Sequence, residues 1–182
     1  MIVHEENLYA ITAESMGALF ILSTVASAPM EDVTASSPNG LKWFQLFVMA
    51  DRDWTESLIR RAENAGLAHY QEKPAATGTR SLSTNAGSVD AGLSWITQLL
   101  LILKGIVTAE DVQLAVQRGA AGIKVSNHGA RTLDGLPATI DVLPEIIHAV
   151  DGHCEVYLDG GITHGSDIFK ALALGARMVV AA

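Results

Sequence analysis

The sequence predicts an α/β fold of the TIM-barrel type, a (β/α)8 barrel truncated to about six strands. Three observations support this prediction: short apolar runs alternate with segments of helical spacing, the loops between them are short, and polar residues stand where the apolar runs end. Such alternation produces parallel strands joined by right-handed crossovers. In barrels of this class the chemistry lies at the carboxyl ends of the strands.

The first part of the chain predicts two strands between helices. Residues 6–17 have helical spacing, and Gly17 can end that helix. The apolar runs 18–25 and 41–49 predict buried strands, separated by a short acidic turn at 30–33 and a loop at 36–40.

A strongly amphipathic segment at 53–66 predicts the next helix, with Trp54, Leu58 and Ile59 facing inward. After it the alternation fails. Residues 73–92 are rich in Ala, Thr, Ser and Gly without periodicity, which predicts an irregular, flexible linker.

Regular alternation returns in the second part of the chain. Residues 99–106 predict a buried strand, and Thr108 with Asp111 three residues later predicts the start of a helix over 108–118. Ile123 and Val125 mark the next strand, which the residues Asn-His-Gly end. The remaining predicted elements are a helix at 140–150, a strand at 155–158, a helix at 166–174 and a strand at 178–181.

Composition excludes several classes of protein. The chain has 182 residues, 49% of them apolar, which is enough to bury one core. Its length therefore predicts a single, incomplete barrel domain over 1–182. The net charge of −8, without a basic stripe, argues against nucleic-acid binding, and no apolar run approaches a membrane span. A single cysteine, Cys154, and a start without a signal-peptide pattern favour a cytoplasmic setting. No histidine or cysteine spacing indicates a metal site.

A histidine and an arginine follow the strand that ends near residue 125. His128 can take a proton near neutral pH, and Arg131 offers a planar fork for a carboxylate. A proton acceptor beside a carboxylate-binding group suits a small hydroxy acid, whose α-carbon carries both a hydroxyl group and a carboxylate. A histidine bonded to backbone and an arginine in a surface ion pair is the competing interpretation.

Two further strand ends bear unusual polar residues. Lys104 ends a buried strand, where an ammonium is costly unless an anion meets it, so it predicts either a ligand contact or a structural ion pair. The turn Asp159-Gly160-Gly161 precedes a helix, and such glycines let backbone N–H groups approach a phosphate. In a barrel these residues and Ser126 converge on one mouth.

Several stretches together resemble the FMN-dependent α-hydroxy acid oxidases, the glycolate oxidase and hydroxyacid oxidase family. The element Ser-Asn-His-Gly-x-Arg at 126–131 is the most specific of them. The resemblance extends over nearly everything except the linker. The matching stretches are WFQL at 43–46, LKGIVTAED at 103–111, VSNHGARTL at 125–133, LPATI at 136–140, LDGG at 158–161 and DIFKALALGA at 167–176.

The resemblance implies a cofactor, a reaction and a role for each matching residue. It implies FMN, a small 2-hydroxy acid of the glycolate or lactate type as substrate, and oxygen as acceptor. His128 would take a proton while a hydride equivalent passes to the flavin, Arg131 would bind the substrate carboxylate, and Lys104 would lie near flavin N1. The implied flavin-contacting residues are Ser23, Gln45 and Ser126, with Asp159, Gly160 and Gly161 beside the ribityl phosphate. A homo-oligomer and a peroxisomal location are implied as well, although the C-terminal residues are no peroxisomal address.

The sequence departs from the family at several positions. Phe47 stands where the family has a substrate-contacting tyrosine, and Thr163 stands where it has a phosphate-binding arginine, followed by His164 at a commonly basic position. The linker takes the place of a strand and of a second carboxylate-binding arginine expected after Gly66. Flavin-contacting segments are also expected before Met1 and from Ala182 onward.

Three hypotheses remain open from the sequence. The first is an FMN-dependent oxidase of 2-hydroxy acids. The second is a non-catalytic fragment or splice remnant of the same family that binds no flavin. The third is another phosphate-binding barrel that uses residues 159–161 for a sugar phosphate or nucleotide, and the Asn-His-Gly-x-Arg element argues against it.

Overall fold

The computed structural model describes most of the chain, in two compact units. The described residues are 5–48, 51–67, 69–73, 97–131 and 134–181, with the backbone alone described at 69–73. Among them, the first unit contains the residues up to 72 together with 97–101, and the second contains Lys73 and those from Ile102 onward. The single domain expected over 1–182 stays a prediction.

Helices and strands alternate along both units. Those of the first unit are α1 (Glu5–Ser15), β1 (Phe20–Ser23), α2 (Met30–Ser36), β2 (Lys42–Phe47), α3 (Arg52–Asn64) and β3 (His69–Lys73, whose last residue belongs to the second unit). Those of the second are β4 (Leu100–Ile106, whose first two residues belong to the first unit), α4 (Ala109–Gln117), β5 (Gly122–Val125), α5 (Thr139–Val150), β6 (Glu155–Asp159), α6 (Gly165–Ala173) and β7 (Met178–Val180).

The core of the first unit forms around a parallel strand pair. Strands β1 and β2 pair from Phe20 opposite Lys42 to Ser23 opposite Gln45. Helix α3 begins at the cap residue Asp51, whose carboxylate accepts a hydrogen bond from the backbone N–H of Trp54. Its apolar stripe packs into a cluster that includes Leu22, Phe44, Leu46, Leu58, Ile59 and Ala62.

The second unit contains four parallel strands in chain order, β4 to β7. Strand β5 is buried at every position, as its apolar pattern predicts. Gly122 is required where β5 begins, because a Cβ there would lie 2.7 Å from Ile102 Cδ1 and 2.8 Å from Tyr157 Cε2. Helix α4 is capped by the Thr108 side chain, which accepts from the Asp111 N–H at 3.3 Å as predicted.

Three expectations from the sequence are corrected. A strand, β3, follows α3, where the sequence predicts none, so the described residues contain seven strands. Residues 30–36 form a short helix instead of a turn, because Met30 and Val33 are buried on one face of it. Trp54 is 47% exposed rather than inward-facing, since it lies in the first turn of α3 while Leu58 and Ile59 reach the core.

Residues 74–92 of the predicted linker lie outside the described residues, and Lys73 ends β3. None of the helices within the described ranges has the length and hydropathy that a bilayer crossing requires.

Candidate active site

Polar side chains of the second unit meet where β4, β5 and β6 end. The parallel register places Lys104 opposite Lys124, and Lys124 opposite Tyr157, two residues before Asp159. Side chains in register, and those two residues apart, face the same side of a sheet. The structure therefore directs Lys104, Lys124 and Asp159 to a common face.

The Asp159 carboxylate is shared by two lysines. Its Oδ2 lies 3.0 Å from Lys124 Nζ and 3.3 Å from Lys104 Nζ. The exposed fractions are 9% for Lys104, 3% for Lys124 and 5% for Asp159, so all three charges are buried. The ion pair considered for Lys104 from the sequence is thus present, within a larger cluster.

Burial and charge act in opposite directions on these groups. Burial lowers the pKa of Lys104 and of Lys124, and the attraction of Asp159 offsets only part of each shift. For Asp159, burial acts to raise the pKa, but Lys124 and Lys104 outweigh it and hold the pKa below its ordinary value. The lowered pKa of Asp159 favours its carboxylate form, which lies within ion-pair distance of both lysines.

Ser126 connects this cluster to the histidine loop. Its Oγ accepts a hydrogen bond from Lys104 Nζ at 2.6 Å and another from the backbone N–H of His128 at 3.2 Å. The buried ammonium and the backbone of His128 are therefore held by one hydroxyl group.

The loop after β5 has an unusual backbone. His128, Gly129 and Ala130 have φ angles of 57°, 62° and 58°, all in the left-handed region. Asn127 stabilises the loop, since its Oδ1 accepts from the Gly129 N–H at 3.1 Å and its Nδ2 donates to the Pro137 carbonyl at 3.4 Å.

Arg131 lies at the end of the same loop and is exposed. Its Nε donates to the His128 carbonyl at 3.1 Å, so the guanidinium group is held against the backbone of the residue predicted as the base. Its predicted role as a carboxylate clamp stays a prediction.

The Asp159-Gly160-Gly161 turn packs against the histidine loop. Gly160 has a φ of 90°, and a Cβ there would lie 2.9 Å from Asn127 Oδ1, so the position requires glycine. Thr139 Oγ1 donates to the Asp159 carbonyl at 2.8 Å and anchors the turn to α5. A cavity of about 220 Å³ adjoins the turn, with Asn127, Thr139, Gly160, Gly161 and Lys170 among its lining residues.

Thr163 is exposed at the start of α6. Its backbone N–H donates to Asp167 Oδ2 at 3.1 Å, and its hydroxyl lies 2.8 Å from His164 Nδ1. The Thr163 N–H bond, with a second from the His164 N–H at 2.9 Å, organises the first turn of the helix and lowers the pKa of Asp167. Thr163 takes the position of the family's phosphate-binding arginine, and a cofactor contact by Thr163 stays a prediction.

The first unit holds the other three predicted site residues. Ser23 and Gln45 are register partners, and Ser23 Oγ donates to Gln45 Oε1 at 3.3 Å. Gln45 Nε2 is buried and has no hydrogen-bond partner among the described residues. Phe47 is half-buried, and its backbone N–H donates to Thr24 Oγ1 at 3.1 Å.

The second unit therefore brings together Lys104, Ser126, Asp159 and the backbone of His128. Sequence reasoning missed Lys124, although a lysine inside a four-residue buried strand is a detectable signal. Within the ranges that the structure describes, no three His, Cys, Asp or Glu side chains cluster as metal ligands would.

Parallel strands alternating with helices, and polar groups at the strand ends, define an α/β protein of the barrel-enzyme class. The chain belongs to the FMN-dependent dehydrogenase family, whose family model matches residues 2–70 and 75–182. The match includes residues 75–92, so the expectation that the linker lies outside the resemblance is corrected.

The named relatives that this chain matches are consistent with its assignment to this family. Glycolate oxidase 1 of Oryza sativa is 39% identical over 97% of this chain and 60% of its own length. Human 2-hydroxyacid oxidase 1 is 37% identical over 91% of this chain and 58% of its own length. A crystal structure of mandelate oxidase with (S)-2-phenylpropionate matches 97% of this chain and 59% of its own, with 35% identity and a TM-score of 0.84. These matches confirm the predicted family and fold class.

The chain spans about 60% of the curated relatives that it matches. Its alignment with the Oryza sativa enzyme has 222 positions against the 182 residues of the whole chain, so at least 40 positions of that alignment have no counterpart here. The family match is interrupted at residues 71–74, between α3 and β4.

Proposed function

We propose that this chain binds FMN and oxidises a small 2-hydroxy acid, of the glycolate or lactate type, to the 2-keto acid with oxygen as the acceptor. The observation that supports this most is the meeting of Lys104, Ser126 and Asp159 beside the backbone of His128. The names of the glycolate oxidase and 2-hydroxyacid oxidase relatives support the reaction class.

Two buried polar atoms indicate whether the proposed site residues suit the cofactor. Gln45 Nε2 is a donor and Asp159 Oδ1 an acceptor, and neither has a partner among the described residues. Buried polar groups are costly to leave unpaired, so both favour a polar ligand. FMN has ring acceptors that suit an amide donor and ribityl hydroxyl groups that suit a carboxylate, so each atom, considered within its own unit, is compatible with such a ligand.

The proposed chemistry divides between the cofactor and the chain. When bound, FMN accepts the hydride equivalent of the oxidation and passes the electrons to oxygen. In this proposal the imidazole of His128 accepts the substrate proton, and the guanidinium group of Arg131 binds the substrate carboxylate. Lys104, held by Ser126 and Asp159, supplies positive charge where negative charge develops. Ser23, Gln45, Ser126, Gly160, Gly161 and Thr163 are the remaining proposed cofactor contacts.

A flavin titration tests the proposal. The purified chain is titrated with FMN, and the bound flavin is then followed by its visible absorption under anaerobic conditions with glycolate, lactate or mandelate. We expect stoichiometric binding and bleaching by at least one acid. His128→Gln should retain the flavin but lose the bleaching, because the base is removed while Ser126 and Lys104 remain. A purified chain that carries no bound flavin after the titration contradicts the proposal.

A second candidate is a family member that holds no flavin and catalyses no oxidation. The specific observation that favours it is the absence of at least 40 positions of the Oryza sativa alignment. Gel filtration after incubation with FMN separates the two candidates, since co-elution of one flavin per chain contradicts this one.

We also propose a peroxisomal location and a homo-oligomer, both supported by the family relationship. A fluorescently tagged chain should co-localise with a peroxisomal marker, and sedimentation of the purified chain should give a mass above that of the monomer. Diffuse fluorescence contradicts the location, and a monomeric mass contradicts the assembly.

A further inference from the structure

Asn127 holds the strained loop that carries His128. A left-handed backbone over 128–130 persists only where surrounding groups fix it. Asn127 Oδ1 accepts from the Gly129 N–H at 3.1 Å, and the Asn127 carbonyl accepts from the Ala130 N–H at 3.1 Å. Asn127 therefore provides acceptors for two consecutive N–H groups of this backbone, one of them through its side chain.

The same side chain lies against the turn at 159–161. A Cβ at Gly160 would lie 2.9 Å from Asn127 Oδ1, the oxygen that accepts from Gly129. On the other side of the amide, Asn127 Nδ2 donates to the Pro137 carbonyl at 3.4 Å, so both ends of the amide are bonded. The Asn127 oxygen therefore connects the turn to the loop.

The turn is fixed in its own place by α5. Thr139 is 2% exposed, and its Oγ1 donates to the Asp159 carbonyl at 2.8 Å and to the Gly160 carbonyl at 3.2 Å. A shift of the turn would either push on the Asn127 oxygen or open a gap beside it, and close-packed groups resist both. A continuous series of packed and hydrogen-bonded groups of this kind can transmit a restraint from one site to another.

We propose that Asn127 is a positioning residue whose side chain couples the turn at 159–161 to the loop that carries His128. A ligand that binds at the turn and restrains Gly160 then also restrains Gly129 and the backbone of the proposed base. This inference rests on the proposed function for the identity of that ligand, FMN, whereas the coupling itself is a property of the chain without cofactor.

Exchange of the Gly129 N–H with water, followed by NMR in the chain without cofactor, supplies the first test. Asn127→Ala removes the side-chain acceptor and should speed this exchange about tenfold, because one hydrogen bond is lost. Asn127→Ser should recover part of the protection, since a serine hydroxyl group can accept from the N–H two residues later. Thr108→Ala is the matched control, because it removes a side-chain acceptor of the same kind at the start of α4 and should leave the exchange unchanged.

Gly160→Ala tests the coupling between the turn and the loop. Its Cβ would press on Asn127 Oδ1, so this variant should also speed the exchange of the Gly129 N–H. Gly161→Ala is the matched control, because Gly161 has a positive φ of 70° as well, yet no atom lies within 4 Å of a Cβ there. In a chain that already carries Asn127→Ala, Gly160→Ala should have little further effect. Additive effects of the two substitutions in folded chains overturn the inference.

The FMN-loaded chain supplies the last test. Bound FMN should slow the exchange of the Gly129 N–H in the wild type but not in Asn127→Ala. Equal slowing in both chains, or none in the loaded wild type, overturns the inference while the proposed function stands. Failure of the wild type to bind FMN overturns the proposed function instead. If either chain binds no FMN, the exchange rates measured without cofactor decide the coupling by themselves.

Discussion

Asp159 is the residue on which the buried charge cluster depends. Asp159→Asn would leave the ammonium groups of Lys104 and Lys124 buried without their shared carboxylate. Removing one partner of a buried ion pair typically costs about 3–5 kcal/mol, and we expect a loss of unfolding free energy in that range. Urea unfolding of the chain without cofactor measures it. Asp32→Asn, an exposed position, is the control and should change stability by less than about 0.5 kcal/mol.

The same carboxylate predicts a pH dependence. Because its folded-state pKa is held below the ordinary value of 3.8, Asp159 stabilises the fold above that value, and the contribution is lost as the pH falls through the lowered pKa. The wild type should therefore lose stability at acid pH more steeply than Asp159→Asn. Urea midpoints measured from neutral pH down to acid pH give both curves. Parallel curves would show that Asp159 is not held ionised by its lysines.

Phe47 offers a gain-of-function test that rests on the proposed function. Phe47→Tyr supplies the hydroxyl group that the family places against substrate. One added hydrogen bond to an ionised substrate should speed the anaerobic bleaching of the flavin by about 10-fold. Phe169→Tyr, on the exposed face of α6, adds the same hydroxyl elsewhere and should leave the rate unchanged. Equal rates in the wild type and Phe47→Tyr contradict the prediction.

Some site residues could be predicted from the sequence, and others could not, for a physical reason. Lys104, Ser126 and Asp159 could be identified because each follows an apolar run, where parallel strands present side chains to a common edge. Lys124 could not be linked to Asp159, because that contact depends on the register between β5 and β6, which the order of residues does not specify.

At the scale of single elements, Gly122 limits how closely β5 can approach its neighbours. Gly122→Ala would place a Cβ within 3 Å of Ile102 and Tyr157, and we expect a cost of about 1–3 kcal/mol from overpacking. Gly165→Ala is the matched control, since no atom lies within 4 Å of a Cβ there and alanine is the better helix former. Thermal unfolding of both variants measures the difference. Similar stabilities would contradict the tight packing at the start of β5.

A glutamate connects α3 to the residues that lead into β4. Glu63 Oε1 accepts from the Thr97 hydroxyl and from the Gln98 N–H, and these bonds lower the pKa of Glu63. Its contribution to stability is therefore present above its ordinary pKa and is lost as the pH falls through the lowered value. Glu63→Gln should lower stability modestly at neutral pH and reduce the acid sensitivity. Glu56→Gln, which removes a surface pair with Arg60, is the control for losing one carboxylate.

The helices and strands differ in how clearly the sequence predicts them. Helix α3 and strand β5 could be predicted because their apolar residues follow a helical period and a buried run. Strand β3 could not, because its sequence HYQEK contains polar residues and no apolar run. Helix α2 is too short for its period to be distinguished from a turn, and the burial of Met30 and Val33 stabilises it.

At the scale of the whole molecule, FMN should stabilise the chain if the proposed function is correct. A ligand at 100 times its dissociation constant adds about 2.7 kcal/mol to the unfolding free energy, which raises the melting temperature. Riboflavin is the matched control because it lacks the phosphate, so a larger shift with FMN reports phosphate binding. Identical melting curves with and without FMN contradict binding.

The left-handed loop at residues 128–130 has a consequence for how this chain can vary. Two of its three residues, His128 and Ala130, carry a Cβ in a conformation that costs L-amino acids about 1–2 kcal/mol each. The left-handed backbone at position 130 therefore restricts which residues fit there, independently of any ligand. Glycine is the one coded residue without that penalty, and a β-branched residue would meet the largest one. Stereochemistry alone therefore disfavours β-branched residues at position 130, whatever the loop binds.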